Sequence, residues 1–298
     1  MGMQMKAEEK AGGAPGTAGK PGRMGEMVTD IVLFCVLTAL FLMLSGMLLA
    51  MLFPGAVAAE GAAEIRFLIL SEALLLFGVL LAAGGLLRFR RVPFERLGLS
   101  VRGQWRSLPG GILLVALLYA VGLGVSLLSG AVEVAGLLFS PASLLTSLFF
   151  FFLVAVAEEV AVRGFILGRM LDAGVNRYVA LLLSALLFSL MHIFNPDFAP
   201  VPFLNIVLAG LFLGASYLYT RNLCFPIVLH WFWNWIQGPV LGYKVSGNAF
   251  GGGSLLILRL PEPNLLNGGE FGFEGSLLCS LLLVAGTALI LRHFRRAG

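Results

Sequence analysis

The sequence predicts an all-α protein, a polytopic membrane helix bundle of about eight transmembrane helices with both termini on the inner side. Three observations predict it: composition, the spacing of the apolar runs and the placement of the basic residues. Of the 298 residues 59% are apolar and 12% charged, and the mean hydropathy is +0.95. Soluble domains hold about 45–50% apolar and about 25% charged residues. A soluble globule of this composition would expose apolar patches that soluble monomers rarely carry. A soluble enzyme, a disordered chain and a secreted disulfide scaffold are excluded. The 38 glycines suit close helix packing in lipid.

Residues 1–26 are polar and contain AGGAPGTAGKPG, which reads as a flexible tail before a single transmembrane domain, 27–298. The first apolar run is too long for a signal h-region, so no secretory signal peptide is expected. A spanning helix needs about 20 apolar residues. Eight runs qualify: 29–53, 67–87, 110–129, 145–168, 178–194, 202–219, 224–241 and 276–292. The fifth and eighth are short. The seventh carries Trp231, Trp233 and Trp235 and reads as partly interfacial or irregular.

With the N-terminus inside, sixteen of the twenty Lys and Arg residues fall on inner segments. Only Arg66, Lys244 and Arg259 fall outside, and Arg163 lies within a span. This asymmetry sets the orientation and explains the net charge of +4 without a nucleic-acid partner. Residues 88–107 are basic with interleaved Phe89, Phe94 and Trp105, a pattern suited to an anionic inner leaflet. Residues 242–275 form a long outer loop whose SLLILRLP stretch dips into the interface, acts as a lid or is plain flexible chain. Cys35, Cys224 and Cys279 lie in apolar runs with no metal spacing and read as buried apolar side chains.

Four charged residues sit inside spans: Glu72, Glu158, Glu159 and Arg163. Each costs roughly 2.5–3.5 kcal/mol at a helix centre if left unpaired. Glu159 and Arg163 are four apart and can pair on one face. Glu158 is rotated about 100° from Glu159 and needs its own partner. Such a carboxylate suits proton transfer near neutral pH. Glu72 reads either as a cavity-facing group or as a protonated packing residue.

His293 follows the last span among arginines and reads as solvated. His192 lies near the outer end of the fifth span with Phe188 four residues earlier, and His230 lies in the seventh with Asn234 four residues later. Each His alone serves equally well as a helix–helix hydrogen bond. At 1.5 Å per residue Glu158 is roughly 18 Å from the inner end, His192 about 21 Å, Asn234 about 15 Å and His230 about 9 Å. With tilt the four can line one cavity.

The set Glu158-Glu159-Val-Ala-Val-Arg163, Phe188-Ser-Leu-Met-His192 and His230-Trp-Phe-Trp-Asn234 resembles the EExxxR, FxxxH and HxxxN motifs of the CPBP intramembrane proteases. This CAAX protease/Abi family includes the type II CAAX prenyl endopeptidases. The resemblance is close over about 145–240 and looser around FERLGLSVRG at 94–103; the core it implies is 145–241. Val162 departs from it, since an aromatic is common before the Arg.

The resemblance implies an intramembrane endopeptidase, a hydrolase acting on a membrane-anchored peptide or protein. Substrates of that kind are a prenylated CAAX-like tail, a leader or a sorting signal. It implies Glu158 as the base activating a water, His192 holding that water, and His230 and Asn234 donating to the oxyanion. Glu159, Arg163 and Phe188 support them. No cofactor is expected. The alternative is catalytic Zn²⁺ on Glu158, His192 and His230. Rival readings are a non-catalytic scaffold or bacteriocin-immunity protein and a transporter. The expected location is a membrane, the cell membrane in a prokaryote, with the lipid bilayer as the other partner.

Overall fold

The computed structural model describes residues 21–55, 62–102, 104–250 and 253–297. Lys6, Lys10 and Lys20, with most of the expected tail, lie outside the described residues. Among the described residues the chain forms α1 (Pro21–Leu52), α2 (Ala62–Phe89), α3 (Leu108–Leu128) and α4 (Pro141–Asp172). It continues as α5 (Arg177–Leu190), α6 (Pro200–Thr220), α7 (Cys224–Trp235) and α8 (Leu277–Ala297). Each apolar run falls on one helix. α1 starts at Pro21, so residues 21–26 are helical rather than tail.

Six of these helices, α1, α2, α3, α4, α6 and α8, are long and apolar enough to cross a membrane. α5 has 14 residues and α7 has 12. They rise about 21 and about 18 Å, short of a hydrocarbon core of about 30 Å. The fifth and seventh runs are thus shorter helices than the sequence reading gave them. α5 stops before Asn195-Pro196, where proline disfavours a continuing helix. His192, expected inside the fifth span, instead sits in the turn after Leu190. α7 continues into a π-helix, Ile236–Val240, that contains Pro239.

The chain is an integral, multi-pass membrane protein. Val32, Met43, Leu44 and Met47 on α1, Leu113 on α3 and Leu281 on α8 are exposed, a surface that lipid covers better than water. Cys35 is exposed on α1 as well, while Cys224 and Cys279 are buried. Charges tie the helices together. Asp30, buried in α1, accepts from Arg90, just past the end of α2, at 2.8 Å and from Arg169 of α4 at 2.6 Å. Asp172 pairs with Arg221, and Arg96 lies 3.9 Å away. Arg90, Arg96, Arg169 and Arg221, all expected on the inner side, converge in this way.

The 94–103 stretch clips onto the start of α7. Leu223 N–H donates to the Gly98 carbonyl at 2.8 Å, and Asn222 Nδ2 donates to Ser100 O at 2.6 Å. Gly98 has φ +83°, and a Cβ there would meet the Arg221 carbonyl, so glycine alone fits. At the other side β1 (Glu133–Leu137) pairs antiparallel with β2 (Leu256–Arg259), Glu133 facing Arg259 and Leu137 facing Leu256. The SLLILRLP stretch is therefore half of a small two-stranded sheet and not a free loop.

Candidate active site

α4 is an α-helix to Glu159, a π-helix over Val160–Leu167 and an α-helix again over Gly168–Asp172. Such π turns recur at functional sites, and all eight residues of this one are buried. Arg163 sits in it with no exposed side-chain surface. Its Nη1 donates to Glu159 Oε1 at 2.7 Å, and Glu159 is equally buried. Its Nη2 donates to the Gly210 carbonyl of α6 at 3.1 Å. Its guanidinium lies 4.5 Å over the Phe188 ring. The expected pairing of Glu159 with Arg163 is present. Gly210 permits the close approach of α6 to α5, since a Cβ there would lie 2.7 Å from Ala185 Cα.

Glu159 Oε1 also accepts from His230 Nδ1 at 2.9 Å. That bond consumes the Nδ1–H. His230 then donates elsewhere only through Nε2, in the imidazolium form. Nε2 lies 3.7 Å from Glu158 Oε2. His192 Nδ1 donates to the Phe188 carbonyl at 2.8 Å. A carbonyl only accepts, so Nδ1 carries the hydrogen and Nε2 of the neutral ring keeps a lone pair. Phe188 packs edge-on against both imidazoles, with centroids 4.8 Å from His192 and 5.9 Å from His230. One phenyl ring thus spaces the guanidinium and the two histidines.

These side chains border a cavity of about 270 Å³. Glu158, Phe188, His192, His230 and Asn234 all line it, and Glu72 of α2 joins them. Glu159 and Arg163 stand behind it. Glu158 keeps about a fifth of its side chain accessible, and its Oε2 is shielded with no hydrogen-bond partner among the described residues. The alternative zinc ligands share this cavity. Among the described residues, however, no three His, Cys, Asp or Glu side chains are grouped closely enough to hold a metal ion.

The far wall comes from residues that the sequence reading passed over. Glu274, four per cent exposed, accepts from Trp233 Nε1 at 3.0 Å and from Gln237 Nε2 at 3.2 Å. It also accepts from Ser246 N–H at 2.8 Å and Ser246 Oγ at 2.9 Å. Gln237 in turn accepts from Tyr119 of α3 at 2.5 Å and donates to the Lys244 carbonyl at 2.7 Å. Val245, Ser246, Asn248, Ala249, Phe250 and Glu274 line the cavity together with the motif residues. On the same segment Lys244 Nζ donates to Glu270 at 2.7 Å. That bond holds the Glu270 carboxyl below the usual carboxylate range and Lys244 above its own ordinary value.

Residues 140–236 match the family model of the type II CAAX prenyl endopeptidase Rce1-like proteins. The matched segment is about a third of the chain and carries all three motifs. No curated protein and no solved structure matches the chain. Over residues 140–236 the chain is similar to the type II CAAX prenyl endopeptidase family.

Proposed function

We propose that the protein is an intramembrane endopeptidase that hydrolyses a peptide bond in a membrane-anchored substrate with a water activated by Glu158. The observation that carries this is the convergence of Glu158, His192, His230 and Asn234 on one cavity, with Glu158 Oε2 unpartnered. The four come from α4, the turn after α5, and α7. Glu158 takes a proton from water. The His192 Nε2 lone pair accepts the water's other hydrogen and orients it. His230, as imidazolium, and the Asn234 amide donate to the oxyanion; losing one such donor costs about 10²–10³ in rate. Glu159, Arg163 and Phe188 hold His230 and His192 in register.

The substrate class is a prenylated CAAX-like tail, a leader or a sorting signal. Its scissile bond lies in or beside the bilayer, because the cavity is built among apolar helices. The test is cleavage of membrane-anchored peptides, a prenylated CAAX peptide among them, by protein reconstituted in liposomes. Cleavage is expected to survive a chelator and to be lost in His192→Ala. Loss with chelator and return with zinc moves the mechanism to a metal-bound water. Cleavage untouched by the substitution overturns the site and leaves a scaffold or a transporter.

A further inference from the structure

Peptide hydrolysis needs two proton movements: one away from water and one onto the departing amine. The motif residues supply an evident base but leave the acid open. Glu72 belongs to α2 and lies outside residues 140–236. It lines the same cavity as Glu158 and is near enough to interact with it electrostatically. Its Oε2, like that of Glu158, is shielded and has no hydrogen-bond partner among the described residues.

The other titratable groups facing the cavity already have roles: His192 Nε2 takes the water's hydrogen and His230 Nε2–H serves the oxyanion. His192 is bonded through Nδ1 to Phe188 O, and His230 through Nδ1 to Glu159. Glu274 accepts four hydrogen bonds. Two carboxyl groups, Glu72 and Glu158, thus border one small chamber. The arrangement in which one is a carboxylate and the other a carboxylic acid provides both a base and an acid.

We propose that Glu72 is the general acid of this reaction, delivering its proton to the departing amine nitrogen. The proposal rests on the peptidase reading above. Glu158 takes one proton from water, and the oxygen bonds to the carbonyl carbon. The C–N bond then breaks with its electron pair on nitrogen, and the Glu72 proton joins that nitrogen. The products are an acid and an amine. The proton left on Glu158 returns to Glu72 through cavity water, so one water is consumed and the enzyme is unchanged.

The experiment compares wild type, Glu72→Gln and Glu158→Gln in liposomes on two substrates sharing one prenylated acyl segment. One is the peptide. The other is an ester whose hydroxycoumarin leaving group departs without a proton. Glu72→Gln is expected to lower kcat on the peptide about 100-fold, within the usual range for a general acid. It is expected to leave the ester within about threefold and to change the alkaline limb of the peptide's pH profile. Ester cleavage itself reports that the variant is folded. Equal losses on both substrates with an unchanged pH profile overturn the proposal and make Glu72 a packing residue. Unchanged cleavage of both also overturns it. Failure of the peptidase reading looks different: neither substrate is cut by wild type, or both are cut by Glu158→Gln, and the proposal falls with it.

Discussion

Glu159 and Glu274 are both buried carboxylates bonded to side chains of the helix that carries His230, and they are held in opposite ways. Glu159 faces a guanidinium at 2.7 Å and the His230 ring at 2.9 Å. Glu274 faces only neutral donors: an indole, an amide, a hydroxyl and a backbone N–H. The first is a charge pair, so removing one partner strands a charge. The second is a charge stabilised by dipoles, so losing one donor weakens it by degrees. The first stands behind the cavity, and the second ties Ser246 to Trp233 and Gln237 along its wall.

The largest effect is expected from breaking the charge pair. Arg163→Ala leaves Glu159 with only the His230 ring beside it and costs about 3–5 kcal/mol. It is expected to abolish the monodisperse peak after detergent extraction, and Arg163→Lys should not restore it, because a single nitrogen lacks the fork by which Nη1 and Nη2 reach Glu159 and the Gly210 carbonyl separately. A well-folded, thermally unchanged Arg163→Ala would erase the contrast with Glu274.

Glu274→Gln sits on the other side of the comparison. The new NH₂ must face either Trp233 Nε1 or the Ser246 donors, so one donor loses its acceptor at a cost of about 1–3 kcal/mol. The protein should stay folded with a lowered melting temperature and faster limited proteolysis around residues 246–250. An unchanged proteolysis rate would mean that Glu274 does not fasten the segment.

Gly210→Ala tests the brace without altering any charge. Its Cβ would press on Ala185, and overpacking of this kind costs about 1–3 kcal/mol. A lowered melting temperature with no change in the pH profile is expected. An unchanged melting temperature would show that α5 and α6 can part without loss.

The smallest effect belongs to the exposed Lys244–Glu270 pair. The Glu270 carboxyl is held low by its hydrogen bond to Lys244. Its contribution is therefore present above the ordinary carboxylate value of 4.5 and is lost as pH falls through the lower folded value. Lys244 is held high, so its contribution is present below 10.5 and is lost as pH rises beyond. Glu270→Gln should leave wild-type melting unchanged below that acid range and lower it only slightly at neutral pH. A large neutral-pH loss would give this surface pair a weight that exposed pairs rarely have.

The motif side of the comparison was legible because its charges interrupt apolar runs. Glu158, Glu159 and Arg163 stand out in a span that otherwise holds none, and their cost forces a partner or a cavity. The spacing of four gave the Glu159–Arg163 pair directly. His192 was placed inside a helix because MHIF continues the apolar run, whereas the turn is set by Asn195-Pro196 beyond it. Glu274 was missed because FGFEGS looks like a solvated glycine-rich loop. Only the fold brings it under Trp233 and Gln237. β1 and β2 were missed for the same reason: their pairing joins segments far apart in the chain, and neither is long enough to announce a strand alone.

The most direct measurement is kcat on a prenylated, membrane-anchored peptide for wild type and Glu158→Gln in liposomes, with melting temperatures recorded alongside. A fall of about 100-fold or more at an unchanged melting temperature is the predicted result. Activity within threefold of wild type would contradict the account, because the unpartnered carboxylate in the cavity would then not be the base.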